Sequence, residues 1–155
     1  MEQLFNDIQK QIAENFPELS LIDEDYGQLE AIETSEDTYP VTFPCVLISI
    51  PEVIWDQLGG QSQRGTASIN IRLAIDCYHD THYGSTTESK AAERKAFATS
   101  IHRKLQGFHS PTVGGSGGGY SELIRKKSSD YSRPHAIKVY ETLYQCKVND
   151  IVTTR

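Results

Sequence analysis

Ala67-Ser68-Ile69-Asn70-Ile71-Arg72-Leu73-Ala74-Ile75-Asp76-Cys77 is the stretch that decides the fold. Ala67, Ile69, Ile71, Leu73, Ile75 and Cys77 alternate with Ser68, Asn70, Arg72, Ala74 and Asp76, and Tyr78 closes the second series. Only a strand, whose side chains point to opposite faces in turn, sets all six apolar residues on one side. At about 3.3 Å per residue it runs about 35 Å, longer than most strands, and a strand of that length tends to project beyond its own core.

Upstream, Pro44 introduces Cys45-Val46-Leu47-Ile48-Ser49-Ile50, a continuous apolar run that suits a strand covered on both faces. Pro51 follows. Proline within a sheet is confined to edges and irregularities, so Val53, Ile54 and Trp55 are expected to continue the strand past a bulge. The polar segment from Gly59 to Gly65 reads as a hairpin tip. Near the amino terminus, Leu4, Ile8, Ile12 and Phe16 recur every four residues and mark an amphipathic helix that Pro17 terminates. Residues 17–44 are acidic and weakly patterned. Leu29 and Ile32 mark at most a short strand over Gln28 to Thr34.

Downstream, a loop from His79 to Thr87 leads to a second helix. Ser85, Thr86 or Thr87 is placed to cap it, with Glu88 in the first turn. Ala91, Ala98, Ile101, Leu105 and Phe108 mark its buried face and Gly107 its left-handed stop. Residues 109–120, with the run from Gly114 to Gly119, are expected to be a flexible loop. Leu123 to Lys127 reads as a short strand and Arg133-Pro134 as a turn. Ile137 to Val148 forms a last strand, with Tyr140, Thr142, Tyr144, Cys146 and Val148 on one face. Ile137 and Val139 fall on the other, so a bulge is expected near Tyr140. The expected architecture is α+β: one domain over residues 1–150, a single antiparallel sheet with room for a mixed pairing, and two helices packed on one face.

Composition sets bounds on function. A chain of 155 residues is long enough for one domain with its own core. A formal charge of −6, with a pI near 5.3, argues against a general nucleic-acid binder and against anionic membrane surfaces. No apolar run approaches the roughly 18 residues that span a bilayer. Met1-Glu2-Gln3-Leu4 lacks the basic-then-apolar pattern of a secretory signal, so none is expected. Cys45, Cys77 and Cys146 each sit in an apolar segment and are expected to be buried free thiols of a reducing compartment.

Candidate chemistry is sparse. Asp76, His79, Asp80 and His82 offer the carboxylates and imidazoles that zinc or manganese takes. A continuing strand would turn His79 and His82 to opposite sides, and such groups at a strand end make turn hydrogen bonds, so neither metal nor cofactor is expected. The glycine run lacks the Lys-Ser/Thr pair and following helix of a phosphate-binding loop. Arg125-Lys126-Lys127 reads as the solvated face of an edge strand, where lysine prevents unwanted pairing. Gly114-Gly115-Ser116-Gly117-Gly118 matches the letters Gly-x-Ser-x-Gly but belongs to the glycine run, which lacks the following helix of a nucleophile elbow, and no loop cysteine stands beside a histidine. Asp23, Glu24 and Asp25 lack apolar surroundings that would raise a carboxyl pKa. No catalytic residue emerges. Trp55, Tyr78, Tyr83, Tyr140 and Tyr144 are aromatic residues of the kind that anchor interfaces or half-cover a sheet.

In element order the chain resembles the tail terminators and related tail-completion proteins of long-tailed bacteriophages and prophages. The residues that carry the resemblance are the first helix, Phe43-Pro44-Cys45-Val46-Leu47-Ile48, Arg72 through Asp76-Cys77-Tyr78-His79-Asp80, the helix through Ala98, Ile101 and Leu105, and the strand from Ala136 to Val148. The acidic stretch and the glycine run depart from the family's pattern. The resemblance implies a non-enzymatic structural protein of a virion, assembled in the bacterial host cytoplasm. It implies a homo-oligomeric ring, commonly a hexamer, that caps the tail tube, joins it to the head connector and lets DNA pass through its lumen. The expected contact elements are the hairpin 59–65, the outer half of the strand 66–78 and the glycine loop. Gly59, Gly60, Arg64, Asn70, Arg72, Tyr78 and Tyr83 are the candidate contact residues. Two other readings stay open: a partner-binding α+β domain or other phage neck protein, and a small metal-dependent enzyme using Asp76, His79 and His82.

Overall fold

The alternating stretch lies on the middle strand of a five-stranded sheet. The computed structural model describes residues 1–34, 41–79, 81–110 and 119–151. Its strands are β1 (Leu21–Glu24), β2 (Cys45–Gly59), β3 (Ser62–Asp76), β4 (Ile124–Arg133) and β5 (Ile137–Ile151), and its helices are α1 (Glu2–Asn15), α2 (Gln28–Thr34) and α3 (Ser89–Leu105). The sheet order is β1-β2-β3-β5-β4. The short β1 runs parallel to β2, and every other pairing is antiparallel. The fold is α+β, with one mostly antiparallel sheet.

Two cores sit on opposite faces of this sheet. On the first, Ala67, Ile69, Ile71 and Leu73 of β3 meet Leu4, Ile8 and Ile12 of α1 and Ile101 and Leu105 of α3. The two helices touch each other through the edge-on rings of Phe16 and Phe97, 5.8 Å apart. The Gln11 side chain donates to the Lys104 carbonyl at 3.1 Å. On the second face, Cys45, Leu47, Ala74, Ile137 and Val139 pack with Leu29 and Ile32. Cys45 and Leu47 therefore point opposite to Val46 and Ile48, which is why this run is apolar without interruption.

The second core corrects the reading of residues 17–44. The segment contains β1 and α2, and Gln28–Thr34 is a helix in place of the short strand expected there. Leu29 and Ile32 are three apart. That spacing would put them on opposite faces of a strand but stacks them on one face of a helical turn. Gly27, at φ +96°, makes the turn from β1 into the helix. The Gln28 side chain accepts from the Tyr26 N–H at 2.9 Å and donates to the Glu24 carbonyl at 2.7 Å. Two helices do share one face, as expected, and α2 covers part of the other.

The bulge at Pro51 is where the sequence placed it. Ser49 pairs with Asn70 and Glu52 with Ser68, so β2 carries one extra residue across Ile50 and Pro51. Side chains change phase there: Val46 and Ile48 face α1 before the bulge, and Val53, opposite Ala67, faces that side after it. The bulge expected near Tyr140 is absent. β3 and β5 pair in unbroken register from Ser62–Ile151 to Asp76–Ile137, and the irregularity falls on β4, between Arg125 and Lys127. With both faces covered at this end, Ile137 and Val139 fill the α2 side while Tyr144, Cys146 and Val148 fill the other without a change of phase.

Smaller differences have local causes. Strand β4 extends to Arg133, well past the Lys127 limit expected from its polar sequence. The cap position of α3 is not Ser85, Thr86 or Thr87. Glu88 occupies the cap position, and its carboxylate accepts from the Gly84 N–H at 2.6 Å. Cys77 is half-exposed where burial was expected; Cys45 and Cys146 are buried, and all three are free thiols.

Far out on the hairpin, Trp55 pairs with Gly65. A Cβ at Gly65 would lie 2.7 Å from Val53 Cγ1 and 2.8 Å from Trp55 Cε3, so the indole covers backbone that any side chain would obstruct. Gly65→Ala is expected to push this sole tryptophan outward, cost about 1–3 kcal/mol, and red-shift its fluorescence. Urea titration followed at that emission checks it; an unchanged spectrum and midpoint would show that the ring does not rest on Gly65.

Candidate functional site

Arg72 occupies the α2 face of β3 and is only 6% exposed. Its Nε and Nη2 donate to the two Asp25 carboxylate oxygens at 2.6 and 2.8 Å, and its Nη1 and Nη2 donate to Glu30 at 2.7 and 3.2 Å. Both contacts are fork-to-fork, the geometry for which guanidinium is suited. Burial alone would lower the Arg72 pKa, but the hydrogen bonds to Glu30 and Asp25 more than offset it and hold the group fully charged. The hydrogen bond from Arg72 holds the Glu30 carboxyl below the usual carboxylate range, against partial burial. Arg133 extends the network, its Nη2 lying 2.6 Å from Glu33. These ions pin β1 and α2 to the central strand. Beside them an open groove of about 880 Å3 runs between the start of α1 and the Pro51 bulge, past Phe5, Glu24 and Ile50.

Beyond the bulge the sheet changes character. β1 ends at Glu24, opposite Ile48, so the outer edge of β2 from Ser49 to Gly59 has no strand partner among the described residues. Ile54 and Leu58 on this segment are 61% and 55% exposed. At the far end of β5, one edge is covered by the chain itself: the Ser121 N–H donates to the Lys147 carbonyl at 2.8 Å, and Tyr120 bridges Val148. On the α2 face the outer sheet carries Glu52, Ile54 and Asp56 of β2, Arg64, Thr66 and Ser68 of β3, and Lys147 of β5. The helix α2 does not reach these residues; its core ends at Cys45, Leu47 and Ala74. Among the described residues, the result is a three-stranded tongue with one open edge and one open face.

The seven residues expected at a contact do not share one surface. Gly59 and Gly60 form the hairpin turn at positive φ, and Arg64 is exposed nearby. Asn70 is half-buried midway along β3, opposite Leu143. Arg72 is largely buried, where it holds α2 and borders the groove beside α1. Tyr78 and Tyr83 are exposed, but they follow the opposite end of β3. Asp76, His79 and His82 lie near those tyrosines, and no group of three or more His, Cys, Asp or Glu converges among the described residues. Asp80 and the glycines from 114 to 118 lie outside the described residues. Sequence reasoning missed Ile54 and Leu58 as exposed. The signal was present: after the bulge they alternate with Val53, Trp55 and Gln57 on the face that the inner strand buries with Cys45 and Leu47.

No protein-family model matches the chain, and no curated protein matches it. Among solved structures it is similar to a chain described as "Virion of native gene transfer agent (GTA) particle". The TM-score is 0.46 and the identity 14%, over 81% of this chain and 86% of that one.

Arg72→Ala would leave the mostly covered Asp25 carboxylate, 11% exposed, without its cation, at an expected cost of about 3 kcal/mol at neutral pH. Because the folded-state pKa of Glu30 is depressed, its share of that stability is present above the unfolded carboxyl pKa of about 4.3 and disappears as pH falls through the folded value. Urea midpoints of the two proteins should therefore converge as the pH drops from 7 to about 3. A gap that stays constant would show that the ions contribute nothing through their charge.

Proposed function

We propose that this chain is a structural, non-enzymatic subunit of a tailed-phage or phage-derived virion, assembled in the host cytoplasm as a homo-oligomeric ring that caps the tail tube and joins it to the head connector. The observation that supports this reading is the tongue formed by the outer halves of β2, β3 and β5. A strand that ends with an open edge and exposed Ile54 and Leu58 invites pairing with another chain, and natural monomers blunt such edges. A patch that fits a different patch on the next copy generates a closed ring when the rotation permits. The sequence pattern resembling tail terminators points the same way. An excess of acidic over basic residues suits a lumen through which DNA must slide without adhering.

Size-exclusion chromatography with light scattering is expected to show a discrete oligomer. The double variant Ile54→Asp with Leu58→Asp should keep its melting point, because substitutions on an exposed face shift stability by about 0.5 kcal/mol or less, and should elute as a monomer. A variant that assembles like the parent would remove the tongue from the interface. One that unfolds would make it part of the core.

A further inference from the structure

The charges of this chain are segregated along its length, and the topology converts that into segregation across the sheet. Residues 11–63 carry eleven Asp and Glu and not one Lys or Arg. Residues 64–155 carry fourteen Lys and Arg against eight Asp and Glu. The first segment supplies β1, α2 and β2, which form one side of the sheet; the second supplies β5 and β4, which form the other. One sheet margin is therefore acidic, through Asp23 and Glu24 of β1 and Glu52 and Asp56 of β2. The opposite margin begins with Ile124-Arg125-Lys126-Lys127 of β4, every one of them exposed.

The two margins also share a face. Glu52 and Asp56 pair with Ser68 and Arg64, which puts them on the α2 side of the sheet. Lys127 pairs with Leu143, on that same side, and Lys126 lines a shallow pocket there with Thr66, Ile124, Gln145 and Lys147. Directly paired residues in an antiparallel sheet project to one face, so the ordering from acid to base is read along a single surface. On β3 the cations near this margin are Arg72, already paired with Asp25 and Glu30, and Arg64, opposite Asp56.

We propose that the occupant of the open β2 edge is a second copy of this chain, docked through its β4 edge, so that Ser49–Gly59 of one subunit lies against the Ile124–Asp130 strand segment of the next. This rests on the ring reading above and names its contact. Charge complementarity selects the partner edge. Two β2 edges brought together would oppose Glu52 and Asp56 to their own copies, and two β4 edges would oppose Arg125, Lys126 and Lys127 to theirs. Like charges facing across strands destabilise, while opposite charges set register and partner choice. The lysines that guard β4 against its own kind are thus what admits the acidic edge. Pairing acid to base is head-to-tail by construction, the arrangement that builds rings and excludes a two-fold dimer.

Charge reversal tests this directly. One variant carries Glu52→Lys and Asp56→Lys, another Lys126→Glu and Lys127→Glu, and a third all four changes. Native mass spectrometry and light scattering read the assembly, and circular dichroism checks that each variant is folded. Each two-site variant alone should associate about tenfold or more weakly than the parent at low salt. Mixed in equal amounts, the two should recover alternating assemblies, since every acidic edge again meets a basic one. The four-site variant should assemble by itself. A parent chain that is monomeric at every concentration overturns the ring reading. A parent oligomer left intact by both two-site variants, or a mixture that fails to recover assembly, overturns the edge assignment and leaves the ring standing.

Discussion

Strand β3 is hydrogen-bonded on both sides for nearly its whole length, and the remaining elements take their positions from it. β2 pairs with it from Ala74 outward to Ser62, and β5 pairs with it over the same span without a break in register. A strand paired on both edges has only its two faces left to satisfy. Along the inner half both are buried, by α1 and α3 on one side and α2 on the other. Along the outer half only the face toward α1 is covered. The molecule therefore has a two-sided core at one end and an open sheet at the other.

Arg72 marks the boundary between these regimes. A polar side chain on a strand face that is about to be covered must either reach solvent or bring its own counter-ions inside. Here Asp25, at the end of β1, and Glu30, on α2, satisfy the guanidinium. Burying such a group is costly in isolation; here both carboxylates come from the β1–α2 segment, so the ion pairs tie that segment to β3. The same ion pairs help to explain why β1 stops at Glu24. Asp25 turns toward Arg72, its N–H donating to the Ile48 carbonyl at 2.8 Å as the last bond to β2, and the chain then leaves the sheet. The open edge beyond Ile48 is thus a structural consequence of how the inner end is closed.

Much of this was legible beforehand because it depends on spacing that only one geometry satisfies. Six apolar residues at a period of two fixed β3, the four-residue recurrence from Leu4 to Phe16 fixed α1, and proline at position 51 fixed the bulge. The errors arose where the pattern was too short or was read against a single buried face. Leu29 and Ile32, three apart, suit a helical turn, but a single such pair is too short a pattern to declare one; in the structure Glu30 of that turn pairs with the distant Arg72. The shift from Tyr140, Tyr144 and Cys146 to Ile137 and Val139 looked like a bulge under the assumption of a single buried face.

Local chemistry alone therefore determined the long strands β2 and β3, the two larger helices and the left-handed stop at Gly107. Tertiary structure decided which charges are inside and which are out. Arg72 and Arg64 occupy the same face of the same strand, and nothing in their immediate neighbours separates them. One is buried because Asp25 and Glu30 fold over it; the other is exposed because α2 is seven residues long and reaches no further. The separation of acidic and basic segments is written in the chain, but only the strand order β1-β2-β3-β5-β4 sends them to opposite margins of one sheet. Pairing of strands distant in sequence sets that order, and no local preference encodes it.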